Sequence, residues 1–180
     1  MDKGYFEDYP KGIVALSNIF AMSIWVIGAY ILSGFGLLFS ILFIIYCILT
    51  ELSVYRGSCV NCYYYGKVCF SGRGKICALI FKGGNPHRFI NRKVTFKDLL
   101  PDLMVTIIPL IGGIILLITS FSWLVLILMI VLLLLATGGN AIIRGKYACR
   151  YCRQRELGCP AQKFFEERRV IRETEIESRL

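Results

Sequence analysis

Two segments concentrate the thiols of this chain: GSCVNCYYYGKVC, residues 57–69, and YACRYCRQRELGC, residues 147–159. Each reads C-x2-C-x6-C. Three cysteines so close together suit metal ligation, disulfide formation or thiol reactivity. A two-residue spacer lets the intervening turn aim both sulfurs at one point, which is why C-x2-C is the usual half of a structural zinc site. The third cysteine leaves each half one ligand short of the four that a tetrahedral ion takes.

Three completions follow. Pooling both halves gives six thiolates, Cys59, Cys62, Cys69, Cys149, Cys152 and Cys159, which hold two zinc ions if two sulfurs bridge. This repeated spacing resembles the ligand pattern of fungal binuclear zinc-cluster transcription factors, and ACRYCRQR at 148–155 looks like their basic first half. The resemblance covers only the cysteine stretches. It implies the ligand arithmetic and not DNA recognition, because in that family a short loop joins the halves and here two apolar spans separate them. No nucleic-acid partner is expected. The second completion adds Cys77 to Cys59, Cys62 and Cys69 as a four-thiolate site, leaving the other set to His87, Glu156 or an outside ligand. His87, after Gly-Gly-Asn-Pro, reads rather as a solvated loop histidine. The third is an iron–sulfur cluster, also held by thiolates; Cys159-Pro160 is the one fragment similar to a ferredoxin ending. A thioredoxin-type C-x-x-C wants a strand–helix context, which these segments lack. Zinc is therefore the expected cofactor, with iron–sulfur as the alternative.

The elements that must position these cysteines are apolar helices. The chain has 180 residues, of which 56% are hydrophobic, and a formal charge of +9. No charged residue occurs in 12–50 or in 103–143. A bilayer-spanning helix needs roughly 20 apolar residues, so each run is long enough for two. Ser33-Gly34-Phe35-Gly36 divides the first and Ser120-Phe121-Ser122-Trp123 the second. The predicted spans are 12–32, 36–54, 103–120 and 123–143, in an all-α integral membrane protein built of two helical hairpins. The mixed-charge flank MDKGYFEDYPK and the length of the first run argue against a cleaved signal peptide. Away from the span ends the runs hold no ionisable residue, which disfavours a transporter or pump, since those need buried ionisable groups.

Lys and Arg mark the cytoplasmic side of span ends. Residues 55–100 carry nine of them and the chain from Arg144 carries ten, whereas the two hairpin tips carry none. The expected topology is a cell-membrane protein with both termini, the long loop and seven of the eight cysteines on the cytoplasmic side. Cytosolic thiols are kept reduced, which disfavours structural disulfides there. Cys47 lies within a span and reads as a small packing residue.

The two cysteine sets share one register: Cys59, Cys62 and Cys69 map onto Cys149, Cys152 and Cys159 at an offset of 90 residues. Phe6 and Asp8 map onto Phe96 and Asp98 at the same offset. The chain thus reads as a duplication, repeat 1 at 1–90 with its cysteine loop at 57–77, and repeat 2 at 91–180 with its loop at 148–160 and a charged helical tail at 161–180. Both repeats begin and end on one side, so a pseudo-twofold axis along the membrane normal would bring the two loops to one face.

Tyr63-Tyr64-Tyr65 reads as membrane-interface tyrosine, and SGRGK at 71–75 lacks the spacing of a phosphate loop. The basic segments suit anionic lipid headgroups, and 81–90 and 96–100 read as segments lying along the interface. No paired carboxylates, Ser-His-Asp set or open metal site with a general base is visible. A non-enzyme is expected: a small membrane scaffold or accessory subunit whose zinc module shapes a docking face for lipid or a protein partner. A membrane iron–sulfur electron carrier and a thiol–disulfide exchange protein are the alternatives.

Overall fold

The computed structural model describes residues 4–92 and 95–160. The charged tail at 161–180, expected to be helical, lies outside the described residues. The regular structure of the described chain is all helical, with no strand beyond one isolated bridge between Phe6 and Cys152.

Helix α1 (Lys11–Ser33) and helix α2 (Leu37–Gly57) form the first hairpin. The break falls at the predicted Ser-Gly-Phe-Gly. There Gly36 adopts φ +122°, a conformation other residues rarely reach, and so reverses the chain within a few residues. After α2 come a 3-10 turn (Cys59–Asn61), then α3 (Arg73–Ile80) and α4 (Pro86–Ile90). Helix α5 (Phe96–Thr119) and helix α6 (Trp123–Leu134) form the second hairpin. Wide π-type turns at Leu135–Gly139 and Ile143–Ala148, with α7 (Asn140–Ile142) between them, prolong α6. A 3-10 turn (Cys149–Tyr151) and α8 (Arg153–Gly158) follow. Four helical runs are long and apolar enough to cross a membrane: Lys11–Ser33, Leu37–Asn61, Phe96–Thr119 and Trp123–Tyr151.

Two boundaries differ from the sequence expectation. Helix α5 begins at Phe96 rather than 103, because Thr95 and Asp98 form a reciprocal capping box, with Thr95 N donating to Asp98 Oδ2 at 2.9 Å. The stretch 96–100 is therefore the first turn of the span, not a separate interfacial segment. The last run continues past 143 to Tyr151, so the second cysteine set starts on a helix end instead of in a free loop. Helices that outlast the charge-free runs also place Glu51, Asp102 and Arg144 inside helical segments. Glu51 lies near the end of the predicted span 36–54, whereas Asp102 and Arg144 fall one residue outside the predicted spans 103–120 and 123–143.

Helix α1 packs against α2, α5 and α6. Two small cores result, Leu32, Phe43, Cys47 and Val105 in one, and Ile31, Leu116 and Leu132 in the other. The outward faces stay apolar and uncovered, as at Leu37 and Ile118, which suits lipid contact. Small residues permit the close approach: a Cβ on Gly112 would sit 2.8 Å from Leu32 Cδ2, and one on Gly113 2.5 Å from Met129 Sδ. Pro109 and this Gly pair accordingly serve packing. Ser40 Oγ donates to Ala29 O at 2.7 Å, and Tyr46 OH to Pro101 O at 3.0 Å, adding polar ties between helices.

Gly28 tests this packing. A Cβ there would meet the Phe43 ring at 2.8 Å and Pro109 Cγ at 2.9 Å, whereas one on Gly12 meets nothing within 4 Å. Gly28→Ala is expected to destabilise the detergent-solubilised protein by about 1–3 kcal/mol through overpacking. Gly12→Ala should be neutral or stabilising by up to about 1 kcal/mol. Thermal unfolding of the two variants side by side makes the comparison.

Candidate functional site

The N-terminal segment, the chain after α2 and the end of the α6 run meet at one end of the bundle. Tyr9 is the hinge pin of that meeting. Its ring is buried, its OH donates to Ala148 O at 2.6 Å, and its N–H donates to Val68 O at 2.9 Å. Asp8 Oδ1 accepts from Val68 N at 2.6 Å. Tyr64, also buried, donates from its OH to Phe6 O at 2.7 Å and accepts from Arg153 N at 3.0 Å. Gln154, only 4% exposed, accepts at Oε1 from Tyr63 N at 2.8 Å and from the Cys62 thiol at 3.7 Å. The rings of Phe6, Tyr9, Tyr64 and Tyr151 stack edge-on or tilted between these bonds. Aromatic edges thus close the gap left between two polar backbones.

This arrangement brings the two cysteine sets together. Cys59–Asn61 and Cys149–Tyr151 each form a 3-10 turn that ends on an extended cysteine, with Cys62 N donating to Cys59 O at 3.3 Å and Cys152 N to Cys149 O at 3.4 Å. Cys62 stands where the sets touch. Burial pushes its thiol up to about 12, and the neighbouring sulfurs of Cys152, Cys69 and Cys159 add to the shift. Cys152 is raised by burial and then by Cys159 and Cys149, less its own backbone bonds. Cys59 lies within electrostatic range of Cys69, Cys77 and Cys62.

Cys69 accepts from Gly74 N at 3.4 Å and has Ser71 Oγ at 3.5 Å. That approach needs Gly74, since a Cβ there would lie 2.0 Å from Tyr64 O; Gly72, at φ +72°, turns the chain into α3. Cys77 is fully buried on α3, where its thiol faces Tyr55 O at 3.7 Å. All eight cysteines are free.

The two sets are joined through Gln154, which accepts from the Cys62 thiol and from Tyr63 N. Among the described residues no three of His, Cys, Asp or Glu are drawn close enough to hold a metal ion. The donor chemistry suits a soft cation; the spacing seen here is open, and ligation would require the turns to close further. His87 is exposed on α4, its N–H bonded to Asn85 Oδ1, and Glu156 pairs with Arg153. Neither sits with a cysteine group.

The tyrosine run also makes contacts within the fold, besides the interface anchoring expected of it. Tyr64 clasps the two sets, Tyr65 OH donates to Phe81 O at 2.8 Å, and the Tyr63 ring carries Lys67 Nζ 4.5 Å above it. Tyr9 and Gln154 escaped the sequence reading because a tyrosine before a span and a glutamine among charges look solvent-facing. No family model, no curated protein and no solved structure matches this chain.

Two expectations follow. Tyr64→Phe removes the hydroxyl shared by Phe6 O and Arg153 N, and should cost about 1–3 kcal/mol by leaving buried groups unpaired; thermal unfolding reads the loss. In metal-free protein, Cys62 should alkylate far more slowly at pH 8 than in the denatured chain, because the raised pKa shrinks its thiolate fraction. Its rate should climb about tenfold per pH unit up to about pH 11, whereas the denatured chain levels off near pH 9. Peptide-resolved iodoacetamide labelling follows both.

Proposed function

We propose that this is a small multi-pass membrane scaffold or accessory subunit whose cysteine face binds zinc and, once locked by it, docks a partner. The ligands are Cys59, Cys62, Cys69, Cys149, Cys152 and Cys159, with Cys77 as a further ligand of the first set. One observation carries the reading: Gln154 and Tyr64 seat two similarly folded C-x2-C turns against each other at one end of a bundle of four bilayer-length helices. A folded protein gains little from gathering so many protonated thiols. A soft dication would replace the protons, stabilise the thiolates and tie the hairpins to each other.

The lysine- and arginine-rich segments support a cytoplasmic, reducing location for this face in the cell membrane, with both termini inside. They also support contact with anionic headgroups, worth about 1 kcal/mol per cation close to the surface. The matched 3-10 turns support an origin of the two halves by duplication. Zinc here is structural: its ligands are all sulfur and, among the described residues, no general base stands beside them, so the protein works by presenting a shaped surface to lipid or to a protein partner.

Elemental analysis of anaerobically purified protein tests this. Two zinc ions per chain are expected for the pooled site, and one for a site of Cys59, Cys62, Cys69 and Cys77. Iron with broad visible absorbance, or no metal at all, ends the reading. Cys62→Ser should lose at least half of the bound zinc and reduce in proportion the destabilisation that chelators cause in the parent protein.

A further inference from the structure

A second site lies beneath the cysteine face, and it involves different residues. All four apolar helical runs and the segment before α3 surround a cavity of ≈ 110 Å³. Its wall holds four charged residues, Glu51 of α2, Arg73 of α3, Asp102 of α5 and Arg144 of the α6 run, together with Asn18, Asn140 and the indole of Trp25. Arg73 Nη2 pairs with Glu51 Oε1, and Arg144 Nη2 lies 3.6 Å from Asp102 Oδ2. Asn18, Glu51 and Asp102 stand six or seven residues inside the cytoplasmic ends of their helices, which is about 10 Å at ~1.5 Å per residue. Ionisable groups at such a depth face the bundle interior and mark binding sites by default.

Three features define the occupant. The four charges cancel, so a ligand with net charge would leave an unbalanced ion in a poorly solvated place. Glu51 Oε2 is buried and has no hydrogen-bond partner among the described residues, which calls for an N–H or O–H donor. Asp102 and Arg144 are about half exposed whereas Glu51 and Arg73 are mostly covered, so the cavity has a deep end and a mouth. A cavity of about 150 Å³ accommodates benzene, so the space here suits about five non-hydrogen atoms.

We propose that this cavity binds a zwitterion bearing a primary ammonium group and an oxyanion, the ammonium donating to Glu51 and the oxyanion resting on Arg144 at the mouth. The ethanolamine headgroup of a phospholipid and a small free amino acid share that chemistry. Ser71, which lines the cavity, also lies 3.5 Å from the Cys69 thiol, so the site adjoins the first cysteine set through that residue. The assignment itself does not depend on a metal being there.

Trp25 provides the readout, because the other tryptophan, Trp123, stands at the opposite ends of the helices and is exposed. In a Trp123→Phe protein held in detergent, Trp25 fluorescence would be titrated with dihexanoyl phosphatidylethanolamine, phosphatidylcholine and phosphatidylglycerol, and with free glycine. A saturable change is expected with at least one primary-ammonium zwitterion, at least tenfold weaker binding of the choline lipid, and none of the glycerol lipid. Saturation by the ethanolamine lipid alone assigns a headgroup; saturation by a soluble zwitterion alone assigns a solute. Glu51→Gln should weaken binding at least tenfold. If that variant fails to give a monodisperse, helical protein, Arg144→Gln at the mouth replaces it, with the same loss expected. Equal binding of choline or glycerol lipid, no saturable response to any zwitterion, or an unchanged affinity in a folded variant would overturn the assignment.

Discussion

Lipid gives two apolar helices no hydrophobic reason to associate, because acyl chains solvate leucine as well as another helix does. The fold has to be held by close backbone approach and by polar contacts at places water or lipid cannot reach. Gly28, Gly112 and Gly113 supply the first, each at a spot where an added methyl would collide with a neighbouring side chain. The second is concentrated at one end, where Tyr9, Tyr64 and Gln154 bond across segments far apart in the chain. Arg92 works alongside them, its guanidinium donating to Gly57 O at 2.7 Å and to Asp98 Oδ1 at 3.0 Å, and so tying the end of α2 to the start of α5.

That concentration explains the location of the chemistry. The clasp residues alternate with the cysteines along the same short segments, so the bonds that fasten the hairpins also gather the thiols. Burial raises the pKa of Cys62 and Cys152 and so lowers their thiolate fraction and nucleophilicity in the absence of a cation. Such an environment is unsuited to thiol exchange, which depends on an accessible thiolate. It suits a ligand set in which the metal does the deprotonating.

How far the chain could be read beforehand depended on which physical signal each element leaves. Long charge-free runs broken by Ser-Gly-Phe-Gly and Ser-Phe-Ser-Trp mark two hairpins directly, since small and polar residues interrupt an otherwise lipid-compatible stretch. An even number of spans between the cysteine sets returns the chain to the same end, so their convergence was legible too. Helix ends were not. The start of α5 is set by a capping box at Thr95 and Asp98, outside the apolar run, and the final helical run continues through Arg144 and Gly145. The charged cavity left less trace: Glu51 falls near the end of the predicted span 36–54, Asp102 and Arg144 fall one residue outside theirs, and no local pattern says that they meet. The shared hydroxyl of Tyr64 and the buried amide of Gln154 leave no local pattern at all.

The unequal lengths of the spanning helices have a mechanical corollary. The last run covers 29 residues against 23 in α1, which at ~1.5 Å per residue amounts to roughly 44 Å against 35 Å. A hydrocarbon layer of about 30 Å accommodates the longer rod by leaning it or by letting its tip emerge. Because that tip carries Cys149 and leads directly into Cys152, a thinner or thicker bilayer would change its inclination and thereby the separation of the two sulfur turns. The local thickness of the membrane is thus a physical variable to which this end of the molecule is geared.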